Sequence, residues 1–116
     1  MAELRVDGSD LVLHLSGTEK AEAVHGDLRV PLSAVTGVEI LEDAHGPADH
    51  GIKVGARIPG VTEVASIYGE GKKIFAVVHH NTPRGLRITF TDAPYDEWIV
   101  GCADPESVAA VLPRTY

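Results

Sequence analysis

Short runs of alternating apolar and polar residues, divided by glycine- and proline-containing turns, set the character of this chain. Leu11, Leu13 and Leu15 fall on one side of an extended segment, with Val12 and His14 on the other. Leu4–Val6 precedes it across Asp7-Gly8-Ser9-Asp10, a turn-forming run, so the two segments predict an opening hairpin. Ser16-Gly17-Thr18 offers a cap to a charged, helix-favouring stretch that Gly26 would end, which predicts a short helix near residues 18–25. Asp27–Val30 reads as a strand stopped by Pro31, and Val35–Leu41 resumes with β-branched residues. The longest loop is expected over 42–51. Beyond it, Ile52, Val54, Ala56 and Ile58 alternate with Lys53, Gly55 and Arg57.

Val61–Tyr68 and Lys73–His79, the most apolar strand, flank the turn Gly69-Glu70-Gly71. After the turn 81–85, Leu86, Ile88 and Phe90 point one way and Arg87 and Thr89 the other. A last strand, Glu97–Cys102, runs into a helix over Pro105–Leu112. Asp104 is placed to cap that helix, and Pro105 suits its first position. Val108, Val111 and Leu112 form its apolar face. About seven or eight strands with turns every eight to twelve residues indicate a sandwich or barrel rather than βαβ units. The expected class is mainly β, with the C-terminal helix covering one open end.

A length of 116 residues suits one domain over 1–116. Aromatics make up only 5%, so the core must be largely Val, Ile, Leu and Ala. No run approaches the ~18 apolar residues that argue for a membrane span. The first residues lack the basic-then-apolar pattern of a signal peptide, so a cytoplasmic location is the expectation. The single cysteine, Cys102, excludes an intrachain disulfide. The net charge of −7 argues against nucleic-acid binding, which needs many phosphate contacts. Six of the ten basic residues fall within 52–91, so a small anion remains a conceivable partner.

Several segments together resemble the bacterial pleckstrin-homology-like (PH-like) domains of the small actinobacterial type. They are Leu28–Val35, Gly55–Gly60, Lys73–Val77, Leu86–Phe90 and Tyr95–Leu112. The resemblance implies a bent barrel of about seven strands capped by one C-terminal helix. It also implies a scaffold that binds proteins, peptides or lipid headgroups. The phosphoinositide-binding members carry basic residues between their first strands. This chain has Asp7, Gly8, Ser9 and Asp10 there, against that ligand.

No nucleophile elbow, nucleotide loop or dinucleotide fingerprint is present. Gly69-Glu70-Gly71-Lys72-Lys73 is too short for a phosphate loop and reads as a hairpin turn. Cys102 precedes a helix start, which favours a thiolate, but ends an apolar strand, where inert cysteines are common. The leading expectation is therefore a non-catalytic binding or assembly module. Its partner would be another protein, or a second copy met through an exposed strand edge. A small-molecule binder or enzyme is the alternative, with a cleft built from His79, His80, Arg57, Lys73, Arg84 and Trp98 and with Tyr68 and Phe75 near the tryptophan. A third reading places a divalent transition metal in the 42–51 loop, on His45, Asp49 and His50, since imidazole with carboxylate suits such ions.

Overall fold

A computed structural model describes residues 3–17, 26–44, 52–58, 62–69, 71–79, 82–110 and 112, with the backbone alone described at 52–54, 56–58, 62 and 63. The described residues form nine strands in two sheets. The first holds β1 (Glu3–Asp7), β2 (Asp10–His14) and β3 (Leu28–Pro31) in that spatial order. The predicted opening hairpin is present. Asp7 faces Asp10, and Gly8 takes φ +62° in the two-residue turn. The predicted short helix near 18–25 lies outside the described residues. After β3 a 3-10 turn, Leu32–Ala34, redirects the chain into the second sheet.

The second sheet contains β4 (Val35–Leu41), β5 (Ile52–Ile58), β6 (Thr62–Gly69), β7 (Lys72–His79), β8 (Gly85–Phe90) and β9 (Glu97–Gly101). Its spatial order is β4-β8-β9-β7-β6-β5. All neighbours are antiparallel except β7 and β9, which run parallel. The mainly-β class and the closing helix stand as expected. The described residues form nine strands where about seven were expected, and the sheet is not closed into a barrel, so the bent barrel of the resemblance is not established. β9 lies between β7 and β8, so the order is not that of a sequential meander.

The main core lies between the sheets. Leu11, Leu13 and Leu15 meet Val64, Phe75, Val77, Leu86, Ile88, Trp98 and Val100 there, all essentially without solvent exposure. Burying each such aliphatic side chain is worth about 1.5–3 kcal/mol. Phe75 to Val78 are buried consecutively, so β7 is covered on both faces. A second apolar cluster of Leu41, Ala44, Ile67, Ala76, Val78 and Ile99 occupies the sheet's other face. Farther along that face, charges continue strand by strand. Arg87 pairs with Glu39 at 3.0 Å and with the nearly buried Glu97 at 3.3 Å, and Lys72 reaches Glu97 at 3.3 Å.

The closing helix α1 spans Pro105–Ala110. Asp104 caps it as expected: its carboxylate accepts the Ser107 amide N–H at 3.3 Å and the Ser107 hydroxyl at 2.7 Å. Those bonds hold the Asp104 carboxyl below its ordinary value. Arg84 ties the helix to the sheet by donating to both Glu42 and Glu106. Its guanidinium lowers the Glu106 carboxyl likewise. Depressed carboxyl values mean stability that is present above the ordinary value and lost as pH falls through the folded one. The part of the stability that the Arg84–Glu106 pair contributes is therefore expected to hold down to pH 4.5, the ordinary glutamate value, and to be lost below it. Glu106→Gln flattens part of that acid limb. A melting curve of the variant that kept the full acid limb would show that the Arg84–Glu106 pair contributes nothing to it.

Candidate functional site

A cleft lies between β3, the start of β7 and the loop before β9. Its lining is Asp27, Leu28, Arg29, Val30, Lys73, Pro94, Tyr95 and Trp98, and its volume is ≈ 250 Å³. Consecutive residues of β3 line it, as expected when a strand edge forms the wall. Among the described residues β3 pairs only with β2.

The opposite wall is fixed by a chain of local contacts. Asp92 adopts φ +58°, a left-handed conformation that aspartate tolerates, and turns the loop after β8. The Phe90 amide donates to the Asp96 carbonyl at 2.9 Å, which closes that loop. Asp96 then clamps β7: its amide donates to the Lys73 carbonyl, and its carboxylate accepts the Lys73 amide, each at 2.8 Å. Tyr95 is consequently held over the sheet. Its hydroxyl bonds the buried Ser66 hydroxyl at 2.8 Å, and its ring meets Phe75 edge-on at 5.7 Å. Lys73 Nζ sits 4.6 Å from the Tyr95 ring centre and 5.6 Å from that of Tyr68, the residue facing it on β6. An ammonium in that position is attracted by the ring quadrupoles.

The charges around the cleft differ in their commitments. Arg29 donates to Asp7 and Asp10, each at 2.9 Å. Asp27 accepts from the Leu15 amide at 2.9 Å and bonds His14 Nδ1 at 2.8 Å. Lys73 is the lining cation that no carboxylate among the described residues neutralises. Beneath it lies Trp98, fully buried and packed edge-to-face on Phe90 at 4.8 Å. The indole Nε1–H is enclosed and meets no acceptor among the described residues. A buried donor left in that condition costs about 1–3 kcal/mol.

The residues expected to share one cleft are separated. Lys73 and Trp98 come together. His79 lies at the far end of β7 from Lys73, six residues or about 20 Å along the strand. Register puts Arg57 opposite Glu63 and Glu63 opposite Val78, so Arg57 also belongs to the His79 end. Arg84 is engaged by Glu42 and Glu106. His80, and the proposed metal ligands His45, Asp49 and His50, lie outside the described residues. Among the described residues no group of three or more His, Cys, Asp or Glu could hold a metal ion. The companions of Trp98 in the cleft are Tyr95 and Lys73, while Tyr68 and Phe75 stand behind them. Tyr95 was the residue that pattern reading missed. The signal available was the Pro94-Tyr95 pair three positions before the single tryptophan.

Cys102 borders a second cleft of ≈ 230 Å³ with Glu3, Leu4, Val100 and Val108. Its thiol points at the Val100 carbonyl, 3.7 Å away, and burial pushes it up to about 11 from 9.0. A rise of that size lowers the thiolate fraction at neutral pH roughly 100-fold. Alkylation by iodoacetamide at pH 7.5 is expected to be slow in the native protein and fast after unfolding in urea. Equal rates in both states would restore Cys102 as a reactive group.

Comparison of the chain with protein-family models, with curated proteins and with solved structures found no match in any of the three. Among the described residues, no helix is long and apolar enough to cross a membrane.

Proposed function

We propose that this protein is a binding module, of the kind its PH-like resemblance implies, and that its ligand is a small molecule held in the cleft between β3 and Tyr95. The observation that carries this reading is Lys73. It is a cation set against two tyrosine rings at the cleft wall, with no carboxylate partner among the described residues, while Arg29 and Asp27 around it are already paired. The unpaired indole donor below it adds support, since buried polar groups are as a rule satisfied by protein, water or ligand. A cleft of this size is smaller than drug-sized pockets of about 300–1,000 Å³, so the ligand is a single ring or short chain.

Trp98 is the single tryptophan, so its indole N–H gives one isolated signal in a proton–nitrogen NMR spectrum. A screen of small neutral and charged fragments is expected to move that signal and to raise the melting temperature together. A folded protein whose Trp98 signal no fragment moves would defeat the reading.

Self-association is the second reading, and it rests on the sheet edges. Edge strands β1 and β4 present Val6 and Ile40, 46% and 40% exposed. Sedimentation velocity from low to high micromolar concentration tests it. A constant monomer coefficient would remove it.

A further inference from the structure

We infer that two copies of this chain pair through β1, edge to edge and antiparallel about a two-fold axis at Val6, a statement that rests on the self-association reading and narrows it to one strand. Among the described residues four strands stand at sheet edges: β1, β3, β4 and β5. Three of them carry features that obstruct further pairing. β3 ends on Pro31, which has no N–H to donate. β4 has a bulge between Val35 and Gly37. β5 has Gly55 at φ +141° in its middle, outside the range of a regular strand. β1 has no proline, glycine or bulge, and its five residues pair in unbroken register with β2. It is exposed along its length apart from the half-buried Leu4. Val6 stands opposite the buried Leu11, on the core side of the sheet, yet is 46% exposed. A strand added beyond β1 would cover it.

The turn sets which backbone groups are available. Gly8 and Ser9 form a two-residue loop, so the Asp7 carbonyl faces the Asp10 amide. Alternation then directs the backbone of Asp7, Arg5 and Glu3 toward β2 and that of Val6 and Leu4 away from it. At a two-fold axis on Val6, the Val6 N–H of each copy donates to the Val6 carbonyl of the other, and the two Val6 side chains meet on the core side. Arg5 then lies opposite the partner's Asp7, once on each side of the axis. Opposite charges on facing residues stabilise a strand pair. Arg5 donates to Glu3 and Asp7 accepts from Arg29, but both stay exposed, and a guanidinium and a carboxylate each hold further bonding positions. The other antiparallel registers fit less well. Centred on Arg5, the pairing sets Arg5 against itself and Glu3 against Asp7, like charges throughout. Centred on Leu4, it matches Glu3 with Arg5 but leaves Val6 beyond the partner's first described residue.

Sedimentation equilibrium of the full chain, from low to high micromolar concentration, tests this with two charge reversals. Arg5→Glu and Asp7→Lys each turn both Arg5–Asp7 contacts into like-charge contacts, and each alone is expected to weaken dimerisation at least about tenfold. An equal mixture of the two variants restores opposite charges at both contacts and is expected to dimerise within about threefold of the parent. Dimerisation that survives both reversals would overturn the β1 pairing and leave self-association through another surface. Loss with either reversal that the mixture does not restore would overturn the register centred on Val6. A constant monomer mass in the parent would overturn the pairing together with the self-association reading. Both variants are checked for native peak dispersion. A second measurement needs neither of them: Val6→Cys and Ile40→Cys are compared for oxidative cross-linking in a Cys102→Ser background. Facing α-carbons at the axis would lie about 5.5 Å apart, within disulfide reach. Val6→Cys is expected to link at least about tenfold faster, because pairing raises the effective concentration of its thiols. Equal rates would overturn the assignment.

Discussion

Gly85→Ala is expected to destabilise the protein by at least about 3 kcal/mol, or to prevent folding. The reason is topological. β7 and β8 follow one another in sequence, yet β9 lies between them, so the connection from His79 to Gly85 must pass the end of β9. Gly85 and Gly101 face each other across that crossing. A Cβ on Gly85 would lie 2.2 Å from the Val100 carbonyl oxygen and 2.9 Å from its carbon. A Cβ on Gly101 would lie 2.9 Å from the Thr82 carbonyl oxygen of the crossing segment. The obstructing atoms are backbone, which no rotamer change relieves. Relief requires separating β8 from β9, and with them the pairing that places Trp98. Gly37→Ala is the control. Its Cβ meets only Thr89 side-chain atoms at 3.7 Å, an ordinary contact on edge strand β4, so its effect is expected within about 0.5 kcal/mol. Urea unfolding at unchanged slope separates the two. Similar midpoints for both variants would mean that the crossing tolerates a wider separation.

This crossing is also what the sequence could not disclose. Strand positions and faces were legible because period-two alternation is local. Leu11, Leu13 and Leu15, and Leu86, Ile88 and Phe90, are buried as their spacing predicts. The Asp104 cap was legible for the same reason, since its partner is three residues away. Pairing order is not local. Nothing in Glu97–Gly101 states that its neighbours are β7, in parallel, and β8. Continuous burial from Glu97 to Gly101 is the mark of a central strand, and it becomes visible only once the sheet is assembled. The candidate site divides along the same line. Lys73 and Trp98 carry residue types that single them out. Their meeting depends on the Asp96 clamp and the Tyr95–Ser66 bond, contacts between residues 23 and 29 positions apart. Arg84 and His79 have the right chemistry in the wrong places, because charge along a chain says nothing of which end of a sheet it reaches.

Trp98 joins the fold to the site, and its substitutions are expected to split those roles. Trp98→Ala removes a fully buried indole from the centre of the six-stranded sheet and leaves Phe90 without its edge-to-face partner. A loss of about 3–5 kcal/mol is expected, a large part of the stability of a domain this size. Trp98→Phe is the informative variant. It also shrinks the side chain, but it deletes the enclosed Nε1–H that lacks an acceptor among the described residues. The ligand-free native state gives up that donor without losing a bond, so the volume loss is partly offset and the net cost is expected near 1 kcal/mol. A Trp98→Phe protein that loses as much stability as the alanine variant would show that the indole N–H is already satisfied in the folded protein. The ligand reading would then rest on Lys73 alone.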